Sequence, residues 1–172
     1  MSRGHPTVAD SIAGTVLDGI EFARSSGVLE RRAVIAGLSR LAELVVRPDG
    51  VLDVRIEGWR DAEGKSWLQV AVSGALPLRC QRCLDVLEFR LDLRSRLQLI
   101  GPGDEWPDDD LADDGADAIA ADAGIDVSVL VEDEVLLALP IAPRHAQCEL
   151  PFAGAGGKGS SPFAALAALK KV

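Results

Sequence analysis

The apolar positions of this 172-residue chain change period near residue 50, and that change divides it. From about residue 10 to 46 the spacing is helical. Ile12, Val16 and Ile20 recur every four residues, and Val34, Leu38, Leu41 and Val45 fall at i, i+4, i+7 and i+11. Arg31, Arg32, Arg40 and Glu43 are then left for solvent. Two helices are predicted, parted by "SSG" at 25–27 and ended by "RPDG" at 47–50; Gly14 and Gly19 weaken the first.

From 51 to 100 the period is two. Leu52, Val54 and Ile56 alternate with charged residues. After the loop "WRDAEGK", Leu68, Val70, Val72, Leu76 and Leu78 share one parity, and Leu87, Phe89, Leu91, Leu93, Leu97 and Leu99 share another. Three strands with polar connections predict an antiparallel meander whose buried face packs on the N-terminal helices. Residues 101–124 have no apolar period and are dense in Asp, Gly and Ala, which predicts a long acidic loop. Asp126 then caps an apolar helix that stops at Pro140. The predicted fold class is α+β: N-terminal helices packed on an antiparallel β-meander, with C-terminal helices and a long acidic loop. Residues 1–150 are expected to form one domain that contains the loop. Residues 151–172 are expected to be a Gly-rich linker and a short docking helix, with Ser161 as N-cap and Phe163, Leu166 and Leu169 as its apolar side.

The charge of −9 is local. Between Leu97 and Pro143 there are 13 acidic residues and no Lys or Arg, so the rest of the chain carries 18 basic against 14 acidic residues. That body can still meet phosphate. The solvent side of the third strand shows Arg90, Asp92, Arg94, Arg96 and Gln98, and with Arg79 and Arg82 just before it the arginines number five. These five are candidate contacts to RNA or to an acidic partner; a solvated face with cross-strand ion pairs is the plainer alternative. The acidic loop is the complementary candidate, a holder for a basic protein. No apolar run reaches the ~20 residues of a membrane span, and the N-terminus lacks a basic head and apolar h-region, so a cytoplasmic protein with no membrane partner is expected.

The chain has three cysteines. Cys80 and Cys83 form a C-x-x-C, and "RHAQC" repeats that spacing with His145 and Cys148. Together they make a candidate Cys3His zinc set, because zinc takes four tetrahedral ligands and two short pairs can supply them. Two other readings stay open: small buried thiols without metal, and a redox C-x-x-C. The redox form normally opens a helix, whereas this one joins two strands. No G-x-S-x-G, P-loop or G-x-G-x-x-G occurs, and no catalytic or cofactor-binding residue is assigned.

"LRCQRCL" after an alternating strand, "VEDEVLLALPIAPRHAQC" in the second half and the terminal "SPFAALAALK" together resemble the YceD family of large ribosomal RNA subunit accumulation proteins, most closely its proteobacterial branch. The resemblance implies a non-enzymatic role in synthesis, processing or stability of 23S rRNA. It implies 23S rRNA or its precursor, or a small basic large-subunit ribosomal protein, as partner. The family's cysteine positions fall on Cys80, Cys83 and Cys148; where some members carry a fuller cysteine set, this chain has His145. The rival from another class is a zinc-dependent or thiol-redox enzyme built on Cys80 and Cys83.

Overall fold

A computed structural model describes residues 11–106 and 116–149. Its elements in chain order are β1 (Val16–Leu17), α1 (Gly19–Arg24), β2 (Val28–Val34), a single 3-10 turn (Ile35–Gly37), α2 (Ser39–Leu44), β3 (Val51–Arg60), β4 (Ser66–Arg79), β5 (Val86–Ile100), β6 (Ala116–Ala120), β7 (Ile125–Asp126) and α3 (Val127–Ala138). The main sheet runs β2-β3-β4-β5-β6, and β1 pairs with β7 in a two-stranded ribbon.

The class is α+β, with the three expected strands in place as an antiparallel meander. The meander also has a strand that the helical spacing hid. β2 pairs antiparallel with β3 from Val28↔Glu57 to Val34↔Val51, where a helix was predicted to begin. Helix appears only at α2, six residues long, and the first predicted helix shrinks to the six residues of α1. Cross-strand pairing overrides local spacing here: Leu29 and Ala33 enter the sheet core from β2, and Leu38, Leu41 and Val45 bury from a turn, α2 and its exit.

The acidic segment is also corrected. Residues 116–120 form β6, which pairs parallel with β5 from Arg96↔Ala116 to Ile100↔Ala120. A parallel pair needs a crossover, and residues 101–115 supply it. Residues 107–115 lie outside the described residues, as does the predicted C-terminal helix of 161–171.

One face of the sheet is the core. Leu52, Val54, Ile56, Leu68, Val70, Val72, Leu91, Leu93 and Leu97 point inward and meet Leu41 of α2 and Val127, Val131 and Val135 of α3. α3 starts as predicted: Asp126 Oδ1 accepts from Ser128 N at 2.8 Å and Val129 N at 3.2 Å. α1 lies so close to β3 that a Cβ on Gly58 would sit 2.9 Å from both Ala23 Cα and Phe22 O.

α2 has no cap of its own, because its N-cap residue is Leu38. α3 supplies one. Glu132 Oε1 accepts from Arg40 N at 2.8 Å and Leu41 N at 3.1 Å, and Oε2 accepts from Arg40 Nε at 2.9 Å. The Glu132 side chain is 7% exposed. Burial opposes its charge, yet the Leu41 amide and the Arg40 guanidinium and amide hold its carboxyl below the usual range.

Candidate metal centre and basic sheet face

The two short pairs seen in sequence meet in space. β4 ends at Arg79, and the chain turns through Cys80–Asp85 before β5. Cys80 N donates to Asp85 O at 2.9 Å and Leu84 N donates to Cys80 O at 3.0 Å. Leu84 takes a left-handed φ of 67°, which lets so tight a turn close without glycine. After α3 and Pro140 the chain comes back across this turn, and Gln81 N donates to Pro143 O at 2.8 Å. That bond sets His145 and Cys148 beside the first pair.

The ligand atoms of Cys80, Cys83, His145 and Cys148 all lie within 4.8 Å of one another. Cys80 Sγ is 3.9 Å from Cys148 Sγ, and Cys83 Sγ is 3.3 Å from His145 Nδ1. Tetrahedral zinc with its usual bond lengths separates two sulfurs by about 3.8 Å and a sulfur from a nitrogen by about 3.6 Å. The donor set therefore fits that ion in chemistry and in size. The outer partner of the imidazole fits too: His145 Nε2 is 3.2 Å from Val86 O, and a proton shared there leaves Nδ1 as the lone-pair donor toward the thiols.

Burial alone would raise both buried-side thiols. At Cys80 it is outweighed by amides of Cys83, His145 and Arg82, the last 3.4 Å from the sulfur, and by the Cys83 side chain; together they bring its pKa down to about 5. At Cys83 the Asp85 amide favours the thiolate, but burial and the neighbouring Cys80 and Cys148 push it up to about 11. One thiolate among crowded thiols is the electrostatic state that a divalent cation relieves. The C-x-x-C opens no helix, unlike the usual redox arrangement.

The five candidate arginines divide. Arg79, Arg90, Arg94 and Arg96 stand exposed on the sheet's outer face, while Arg82 sits in the thiol turn. None of the five forms an ion pair with a described carboxylate; Arg32, Arg47 and Arg55 on the same side do, with Asp53, Glu88, and Glu30 and Glu57. Cross-strand pairing thus accounts for part of the face and leaves the β5 arginines uncommitted.

Sequence reasoning missed an aromatic cluster on this face. Trp59 and Trp67, in register across β3 and β4, stack with ring centroids 6.2 Å apart and planes 11° apart. Arg96 lies over Trp67, 5.2 Å from its centroid. Trp67 Nε1 donates to Asp61 Oδ2 at 2.8 Å, and that bond is the chief reason the Asp61 carboxyl is lowered. The signal was present: Trp59 and Trp67 have the parity of the solvent side, not of the core.

Among the described residues, no helix is long and apolar enough to cross a membrane. No curated protein and no solved structure matches the chain significantly. Residues 68–170, more than half of the chain, match the family model described as large ribosomal RNA subunit accumulation protein YceD.

Proposed function

This chain belongs to the YceD family, and from that premise we propose that it is a ribosome-biogenesis factor. It supports accumulation of the large subunit's 23S rRNA by binding rather than by catalysis. The observation that carries the binding mode is the row of arginines on β5, Arg90, Arg94 and Arg96, joined by Arg79 and Arg82, without carboxylate partners among the described residues. A row of guanidinium groups along one strand suits the repeating charge of an RNA backbone. The partner in this reading is 23S rRNA or its precursor. The second partner reading, a small basic large-subunit ribosomal protein, draws on the 13 acidic residues between Leu97 and Pro143.

The thiol–imidazole cluster has a structural role in this proposal. Cys80, Cys83, His145 and Cys148 would hold one zinc ion, which supplies cross-linking and folding energy in a closed four-ligand site. The residues would fasten the β4–β5 turn, next to Arg79 and Arg82, to the segment after α3.

Affinity capture of the full chain from cells, with and without RNase, tests the partner. Loss of all ribosomal proteins on RNase treatment supports RNA contact. Persistence of one ribosomal protein after RNase, with capture abolished by deleting residues 102–122 and untouched by replacing the five arginines, would replace it with the protein reading. Turnover by a reactive Cys80 in thiol–disulfide exchange would replace both with the enzyme.

A further inference from the structure

The outer face of the sheet is not flat. From residue 71 to 75 the side chains that β4 presents there are small, Ala71, Ser73 and Ala75, and Gln69 stands between them and Trp67. The neighbours of β4 present long ones. In one row across the sheet Glu30, Arg55, Ala71 and Arg94 are in register, and in the next Arg32, Asp53, Ser73 and Asp92. Long side chains on β3 and β5 with small ones between them leave a trough along β4. Three depressions of about 200, 470 and 870 Å³ line up in it. The first two share Arg55, Ala71 and Arg94, and the last two share Ser73 and Asp92, so they run into one another.

The two walls of the trough differ. On the β3 side Arg55 is neutralised by Glu30 and Glu57, and Asp53 is engaged by Arg32. On the β5 side Arg90 and Arg94 face the trough without a described ion-pair partner, and exposed Asp92 stands between them. At one end stands the Trp59–Trp67 stack with Arg96 over it. β2 stops pairing at Val28↔Glu57, so among the described residues no strand flanks Trp59 on its far side. Asp61 fixes the orientation of Trp67 and also accepts from Lys65 N at 2.8 Å, which closes the β3–β4 turn. The aromatic platform is therefore set before any ligand arrives.

From Trp67 to Ala75 the trough spans roughly 27 Å, enough for a few nucleotides of extended chain. It offers the guanidinium groups of Arg90 and Arg94, with Asp92 between them, on one side, an aromatic plane at one end and a floor of small side chains from Ala71 to Ala75, with Gln69 next to the aromatic end. Single-stranded RNA is bound through such stacking and backbone contacts, whereas a duplex hides its base faces and presents phosphates and 2′-hydroxyls across a broad groove. We propose that the β4 trough is a subsite for a single-stranded segment of RNA, with a nucleobase stacked on Trp59 and the flanking phosphates on Arg94 and Arg90. This rests on the reading that the basic face contacts RNA and specifies which form of RNA it takes.

The test uses the full chain and a fluorescein-labelled 12-nucleotide RNA of mixed sequence, alone or annealed to its complement, followed by fluorescence anisotropy at low salt. The single strand is expected to bind more tightly than the duplex. Trp59→Leu should weaken the single strand by about 5- to 100-fold, the usual cost of one stacked base, while Trp59→Phe retains most of the affinity. Ser73→Phe fills the trough without touching the stack and should weaken the single strand too. It keeps the test intact if Trp59→Leu lowers the thermal midpoint. Equal binding of strand and duplex, lost on replacing Arg90, Arg94 and Arg96 but unchanged by Trp59→Leu and Ser73→Phe, overturns the subsite and leaves the RNA-contact reading standing. Binding of neither form by wild-type protein overturns both.

Discussion

Glu132 is an acidic residue in the middle of an apolar helix, and it carries more of the fold than its type suggests. Replacing it with alanine removes three hydrogen bonds at once, those from Arg40 N, Leu41 N and Arg40 Nε. The guanidinium is half exposed and can return to water, where it keeps Asp133 as a partner. The two amides cannot escape so easily. Leu41 is fully buried, and the first turn of α2 has no other side-chain cap. One or two buried donors left without acceptors, at about 1–3 kcal/mol each, give an expected loss of about 2–4 kcal/mol for Glu132→Ala. Glu132→Gln keeps one acceptor oxygen for the two amides but loses the charge and the acceptor of the half-exposed Arg40 Nε, so about 1–1.5 kcal/mol is expected. Urea unfolding followed by far-UV circular dichroism measures both, as shifts in midpoint at constant slope. The pH dependence follows from the lowered carboxyl. Its stabilisation is fully present above the unfolded value of about 4.3 and is lost as pH falls through the lower folded value. The gap between wild type and Glu132→Gln should therefore be constant near neutrality and close below about pH 4. A Glu132→Ala protein within 0.5 kcal/mol of wild type, or a gap that does not narrow in acid, would refute the trans-capping argument.

Protein purified without chelator should contain one zinc per chain by elemental analysis, and Cys83→Ser should lose the metal together with several degrees of thermal midpoint. The same midpoint should fall on adding chelator, and also in acid, where protons compete for the thiolates and the imidazole. Gly58→Ala should destabilise by about 2 kcal/mol in urea, because the added methyl meets not only the Phe22 ring at 2.8 Å, which can shift, but also the backbone of α1 at 2.9 Å, which cannot. Asp61→Ala should lower the urea midpoint in the same assay and blue-shift or broaden tryptophan emission, since it frees the Trp67 indole and the Lys65 amide.

The parts of the fold visible in sequence are those where one residue type repeats at one period. β3, β4 and β5 alternate cleanly over 10 to 15 residues, and one face of each is buried. β2 was obscured because Arg31 occupies an inward position between Leu29 and Ala33, and because Val34, Leu38, Leu41 and Val45 happen to keep helical spacing across a strand end, a turn and a short helix. β6, "ADAIA", has little strand propensity of its own and exists by pairing with β5. At the candidate site the ligand types and their doubled spacing were legible, while the approach of the two pairs depends on the path of the chain after α3. Glu132 and the trough escaped for a common reason. A glutamate on a helix and an alanine on a strand carry no periodic signal, and each acquires meaning only from the element packed against it.

The cysteine–histidine cluster has a consequence in time. Its halves are 62 residues apart along the chain. At ordinary rates of synthesis, His145 and Cys148 emerge about 3–12 s after Cys83. During that interval the β4–β5 turn carries a bare pair of thiols, and a metal ion there has at most half its ligands. The set is completed only when β5, the crossover, β6 and α3 have all been laid down and the chain has turned back past Pro140. Closure of the cluster is thus a record that the second half of the molecule has folded. A chain that stalls or misplaces α3 would be marked by thiols still open to solvent.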